Sequence, residues 1–148
     1  MRISSKGRYG LAAMLDMAVH ARSNECITII SISERLGISK IYLEQVFSLL
    51  KRAELVISLK GAQGGYKLAM PANQITAGDI LRAVETSLFE KTESSVSGDA
   101  AAIEETLETL VWAPLDAAAA KLLDSITLED LTSHAKAYNS GDNYMFYI

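Results

Sequence analysis

The stretch "SISERLGISKIYLEQVFSLLKRA", Ser31 to Ala53, holds two helical patterns parted by a short turn around one glycine. Ser31 is placed to cap the first N–H groups, Glu34 completes a capping box three residues on, and Gly37 ends that helix in under two turns. Ser39 is the expected N-cap of the second helix, whose Leu43, Val46, Phe47 and Leu50 recur at helical spacing as a buried stripe. Two helices joined by so short a turn form a helix-turn-helix, a motif whose second member lies in the major groove of DNA.

Just beyond it, "LVISL" (55–59) and "YKLA" (66–69) are β-prone runs flanking "KGAQGG". They predict a hairpin whose six-residue loop, Lys60 to Gly65, stands out as a wing. Lys60 and Gln63 at its tip can reach phosphates or the minor groove. A phosphate-cradling enzyme loop fits poorly, because the glycines match neither G-x-G-x-x-G nor G-x-x-x-x-G-K-[ST] and no helix follows to offer its N-terminus. A helix-turn-helix followed by such a hairpin is the winged-helix arrangement.

Upstream, "RYGLAAMLDMAVHA" (8–21) sets Leu11, Met14, Leu15, Ala18 and Val19 on one helical stripe, and "RSNECITII" (22–30) reads as a loop and a short extended segment. Downstream, Thr76 and Asp79 cap a helix from Ala77 to Glu85 with Ile80, Leu81 and Val84 inward. Residues 86–99 are rich in Ser, Thr and charge and read as an exposed linker. From 100 to 124 a long helical stripe carries Ile103, Leu107, Leu110, Val111, Leu115, Ala118, Leu122 and Leu123. Its own chain cannot cover so long a stripe, so it reads as a dimer interface with Trp112 near its edge, and Pro114 predicts a kink near Val111. "TLEDL" (127–131) opens another short capped helix. The tail ends in "YMFYI", and apolar tail ends usually pack back on a core. The fold class is mainly α with a small β-hairpin: a winged-helix domain over 1–85, a linker over 86–99, and a dimerisation helix, short helix and tail over 100–148.

Charge agrees with this division. The 148 residues carry a net charge of −4, yet residues 1–82 hold 11 Lys and Arg against 6 Asp and Glu, and residues 83–148 hold 3 against 12. A basic first part beside an acidic second part points to a polyanionic partner for the first. Off the buried stripe, the second helix presents Ser39, Lys40, Tyr42, Glu44, Gln45, Ser48, Lys51 and Arg52, and the chain start adds Ser4, Lys6 and Arg8. Gln45 can pair with adenine and Glu44 with a cytosine amino group; Lys40, Lys51, Arg52 and the Tyr42 hydroxyl suit phosphates. Nothing supports an enzyme: His20 and His134 lack partners at ligand or triad spacing, and Glu104, Glu105 and Glu108 read as a solvated face. No apolar run is long enough to span a bilayer and "MRISSKGRYG" lacks a signal-like core, so a cytoplasmic location is expected. Cys26, the single cysteine, reads as a partly buried thiol, excludes an internal disulfide, and is the one redox candidate.

"MRISSKGRYGLAAMLDMA", "YLEQVFSLLKRAELV", "KGAQGGYKLA" and "ITAGDILRAVE" together resemble the Rrf2 family of bacterial winged-helix repressors. The resemblance implies a homodimer with crossed long helices that binds a palindromic operator through two recognition helices and two wings. It puts the recognition positions on Tyr42, Glu44 and Gln45, and the minor-groove position on Lys60, where cluster-bearing members usually have arginine. Lysine keeps the charge there without the planar donor fork. Those members also carry three cysteines in the region 86–106; this sequence has none, which argues against an iron–sulfur cofactor and towards the cluster-free, CymR-like branch that controls cysteine metabolism. The ending, with Tyr147 and Ile148, implies docking to O-acetylserine thiol-lyase, by terminal-carboxylate capture. Two other readings stand beside the repressor: a winged-helix protein-interaction module, and a redox sensor working through Cys26.

Overall fold

The computed structural model describes residues 2–21, 25–61 and 64–145, with side chains as far as residue 141. Helix α1 (Ser5–His20) starts earlier than its apolar stripe suggests, because the Ser4 hydroxyl accepts from the Gly7 N–H and caps it. Its buried seam runs through Gly7, Gly10, Ala13, Met14 and Met17, while Leu11, Leu15 and Ala18 flank it. The small residues are there for close approach: a Cβ on Gly10 would lie 2.9 Å from Val84 Cγ2, and one on Gly7 would overlap the Glu85 carboxylate.

Helix α2 (Ile29–Leu36) corrects the expected start at Ser31. Thr28 is the N-cap, its hydroxyl accepting from Ser31 N at 3.1 Å, so the β-branched Ile29 and Ile30 are helical and Glu34 completes no capping box. An earlier capping residue was available, and starting there brings Ile32 into the core. Gly37 ends the helix at φ 67°, a left-handed conformation that glycine adopts without penalty. After a three-residue turn, Ser39 caps α3 (Lys40–Arg52), accepting from Tyr42 N at 3.2 Å, and Leu43, Val46, Phe47 and Leu50 are buried as their spacing predicts.

Strands β1 (Val56–Leu59) and β2 (Gly65–Leu68) pair antiparallel, Val56 opposite Leu68 and Leu59 opposite Gly65. The loop is therefore Lys60 to Gly64, one residue shorter than expected, since Gly65 belongs to the ladder. The Ile27 backbone adds a bridge to Tyr66, each N–H donating to the other's carbonyl at 2.8 Å. Helix α4 (Ala77–Val84) has the expected capping box, Thr76 and Asp79 each bonding the other's backbone N–H at 3.0 Å.

Past a 3₁₀ turn at Thr86–Phe89, the long helix runs as α5 (Ala101–Leu107), a π turn over Glu108–Trp112, and α6 (Ala113–Ser125). The expected kink near Val111 takes the form of this wide turn, just ahead of Pro114, which has no N–H to give an α-helical ladder. Residues 86–99 are largely exposed, and several of them bond to this helix. Glu104 accepts from the N–H groups of Ser95 and Val96, Glu108 pairs with Lys91 at 3.7 Å, Asp116 accepts from Thr92, and Asp124 takes both Nη atoms of Arg82. Glu104 and Glu108 thus have partners where a solvated face was expected. Trp112, on the same side of the helix, is half-buried.

Helix α7 (Leu128–Met145) is much longer than expected and begins with reciprocal Thr127 and Asp130 caps. Leu128 is fully buried in the core shared by α1 to α4, tied there by Leu128 N to Ile75 O (2.7 Å) and Ala77 N to Ile126 O (2.8 Å). Among the described residues, no helix is long and apolar enough to cross a membrane.

Candidate nucleic-acid interface

Burying Leu43, Val46, Phe47 and Leu50 turns the opposite side of α3 outward, so Lys40, Glu44, Gln45, Ser48, Lys51 and Arg52 are all exposed. Lys40 Nζ lies 3.8 Å from Glu44 Oε1, one turn along, a solvent-exposed pair that orients Glu44 with little energy at stake. Tyr42 is half-buried: its ring meets Tyr9 edge-on at 5.0 Å, so it ties α3 to α1 as well as facing the surface. The Ser39 hydroxyl is occupied in capping α3.

The N-terminal segment is positioned from below. Glu85, at the end of α4, accepts the Ser4 N–H through Oε1 at 2.9 Å, which sets the start of α1 beside the recognition helix. Lys6 then lines a shallow depression with Ile41, Glu44, Gln45, Ser48 and Leu49. Arg8 is exposed and reaches Ser5 Oγ at 3.1 Å. In the wing, Lys60 is exposed just past the end of β1; Gln63 lies outside the described residues. A basic side chain from α1, the polar face of α3 and the wing lysine are the parts that a duplex-reading surface needs, with phosphate contacts for position and base edges for sequence.

Of the long-helix stripe, Ile103, Leu110, Val111, Leu115 and Leu122 are exposed large apolar residues, Ala118 is exposed, and Leu107 is half-buried. Cys26 is a half-buried free thiol one residue before the Ile27 bridge to the wing. Tyr147 and Ile148 lie outside the described residues. Sequence reasoning passed over Ile41, which the structure leaves exposed, and two pairs that meet only in the folded chain, Asp16 with Arg35 and Glu85 with Ser4. Among the described residues no three His, Cys, Asp or Glu side chains come together as a metal site.

The sequence model of the Rrf2 family, described as an iron-dependent transcriptional regulator, matches residues 3–134. The HTH-type transcriptional regulator IscR of Vibrio cholerae is 41% identical over 131 residues, covering 88% of this chain and 75% of its own. Among solved structures, CymR, the global cysteine regulator of B. subtilis, superposes with a TM-score of 0.76 at 39% identity over 90% of this chain and 98% of its own. IscR of T. potens does so with 0.71 at 37% identity, over 91% and 88%. The likenesses to CymR and to IscR are of similar strength and do not single out the CymR-like branch. Family and relatives are regulators of transcription, not enzymes. By residues, fold and kin alike, this chain is a member of the Rrf2 family of winged-helix transcriptional regulators.

Proposed function

We propose that the protein is a homodimeric, cytoplasmic repressor that binds a palindromic operator with α3 in the major groove and the wing at the minor groove. The observation that carries this reading is the exposed face on which Lys6 of α1 lines one depression with Glu44, Gln45 and Ser48 of α3, a cation beside hydrogen-bonding side chains, with Lys60 of the wing exposed as well. Lys6, Arg8, Lys40, Lys51, Arg52 and Lys60 serve phosphates, Ser4, Ser39 and Tyr42 support the contact, and Glu44 and Gln45 read base edges. Gln63 belongs to the same reading. The apolar stripe from Ile103 to Leu122 is the dimer interface, which a second copy covers as this chain's own residues do not.

Control of cysteine and sulfur genes is the regulatory role we assign, with O-acetylserine thiol-lyase as the partner of Tyr147 and Ile148. CymR, a structural neighbour, is a global cysteine regulator, which supports that role. The family description is iron-dependent, yet the donor set fits no conventional iron–sulfur cluster: the chain has one cysteine, and residues 86–106 have none. A second reading, redox sensing through Cys26, is favoured by that thiol's place beside the bridge to the wing, where a bulky oxidised form would disturb the Ile27–Tyr66 pairing.

Anisotropy titrations against the protein's own upstream region, at two salt concentrations and with or without thiol-lyase, test the proposal. Binding should weaken steeply with salt, with a log–log slope of about −0.9 per phosphate contacted. Salt-insensitive binding without sequence preference would favour an interaction module, and binding indifferent to lyase would remove the lyase partner alone. Mild oxidant that titrates Cys26 without changing operator affinity would remove the redox reading.

A further inference from the structure

We propose that Ile41 reads sequence directly, by packing against the 5-methyl group of a thymine in the major groove. This inference rests on the DNA-binding reading above and adds a specificity-determining residue to it. Ile41 is 71% exposed on a helix face whose other exposed residues are polar, with Leu49 half-buried beside them. Single exposed apolar residues are common and need no explanation; the position of this one is what matters. It lies in the first turn of the recognition helix, the part of a helix-turn-helix whose side chains meet base edges.

Gln45 follows four residues later, so the two side chains share a face one turn apart. Together with Lys6, Glu44, Ser48 and Leu49 they line one depression. The apolar stripe assigned to the dimer lies on α5 and α6, so it gives Ile41 no cover. Lys6 lines the depression from α1 and Lys40 lies 3.8 Å from Glu44, one of its lining residues, cations suited to the phosphates that bound a groove.

Among the features that base pairs present in the major groove, the thymine methyl is the apolar one. An isoleucine seated there buries apolar surface on both sides. Seated instead against a cytosine amino group or a guanine carbonyl, it strips water from a polar edge and offers no hydrogen bond in return. Ile41 therefore both favours thymine and disfavours its competitors, next to a pair whose adenine Gln45 can engage through N6 and N7.

The test starts from a randomised duplex library, from which the wild-type protein selects its site. Each thymine of that duplex is then replaced by deoxyuridine, which differs only in lacking the methyl, and affinities are measured by anisotropy. One thymine per half-site should stand out, with binding about fourfold weaker when its methyl is removed and about fifteenfold weaker when both half-sites are changed. Ile41→Ser should melt at the wild-type temperature, keep the salt slope, show no penalty for deoxyuridine there, and select sites in which that thymine is no longer fixed. A selected site indifferent to every deoxyuridine, or an Ile41→Ser protein that keeps the same penalty, would overturn the role of Ile41 and leave operator binding standing. No enriched sequence and no salt-steep binding would overturn operator binding itself, and the role of Ile41 with it.

Discussion

Arg35 clasps Asp16 across the junction of α2 and α1, with Nε 2.9 Å from Oδ1 and Nη2 2.7 Å from Oδ2. The Asp16 side chain is only 5% exposed and Arg35 is 32% exposed, so a carboxylate buried in α1 anchors the first helix of the helix-turn-helix. The hydrogen bond to Asp16 raises the Arg35 pKa further above its already high ordinary value, a stabilisation fully present below the unfolded value and lost only as pH rises through the raised one. Arg35→Met leaves the carboxylate with His20 alone, whose Nδ1 lies 3.2 Å from Oδ1. Removing one partner of a fully buried pair costs about 3–5 kcal/mol; partial exposure of Arg35 reduces the expected loss to about 2 kcal/mol in urea unfolding. The double variant Asp16→Leu with Arg35→Met should recover most of it. An unchanged midpoint in Arg35→Met would show that the clasp contributes nothing.

Glu54 follows α3 at φ 62°, in the left-handed region that usually belongs to glycine, while Leu55 N bonds back to Leu50 O at 3.0 Å to close the helix. Glu54→Gly should stabilise the protein by about 1 kcal/mol, because the left-handed conformation costs an L-residue that much and glycine little. Thermal unfolding reads the effect directly; a lower midpoint would contradict it.

Acid should loosen the tethering of the long helix only below the usual carboxylate range. The hydrogen bond from Arg82 holds Asp124 below the usual carboxylate range, so its contribution is complete above about pH 3.9 and fades as pH falls through the lowered value. Glu104 is lowered too: desolvation opposes its charge, but hydrogen bonds from the Ser94 hydroxyl and the Val96 and Ser95 N–H groups prevail. Both carboxylates should titrate below their ordinary values by NMR. Arg82→Gln should return Asp124 to the ordinary range and leave Glu104 where it was.

Leu110 is 71% exposed on the stripe assigned to the dimer. Leu110→Asp should convert the protein to a monomer by light scattering with unchanged helical content, since the side chain has no cover within its own chain to lose. A variant that remains dimeric would move the interface elsewhere.

Signals confined to a few neighbouring residues were legible in the sequence. The stripe of α3, the Ser39 cap, Gly37, the Thr76–Asp79 box and the hairpin all rest on side chains that act within one turn or one strand pair. What was missed depends on partners far along the chain. Gly7 and Gly10 do not look like core residues until Val84 and Glu85 arrive against them. Thr28 outcompeted Ser31 as a cap because the earlier start buries Ile32, a gain that local pattern does not contain. The bonds that the linker makes to the long helix were not legible because Glu104, Glu108 and Asp116 look like surface charge until they meet residues 91–96.

Those carboxylates and Asp124, with Trp112 and Ala120 between them, recur every fourth residue from 104 to 124. On a regular α-helix such a series precesses about 40° per step and would have wound through about 200° by Asp124. The π turn accommodates one extra residue and subtracts about 100° of that drift. Its consequence is one of phase. With only about 100° of drift left, the tethered side stays turned towards residues 82–96, and Leu110, Leu115 and Leu122 stay outside it as an exposed edge that winds half as far as it otherwise would.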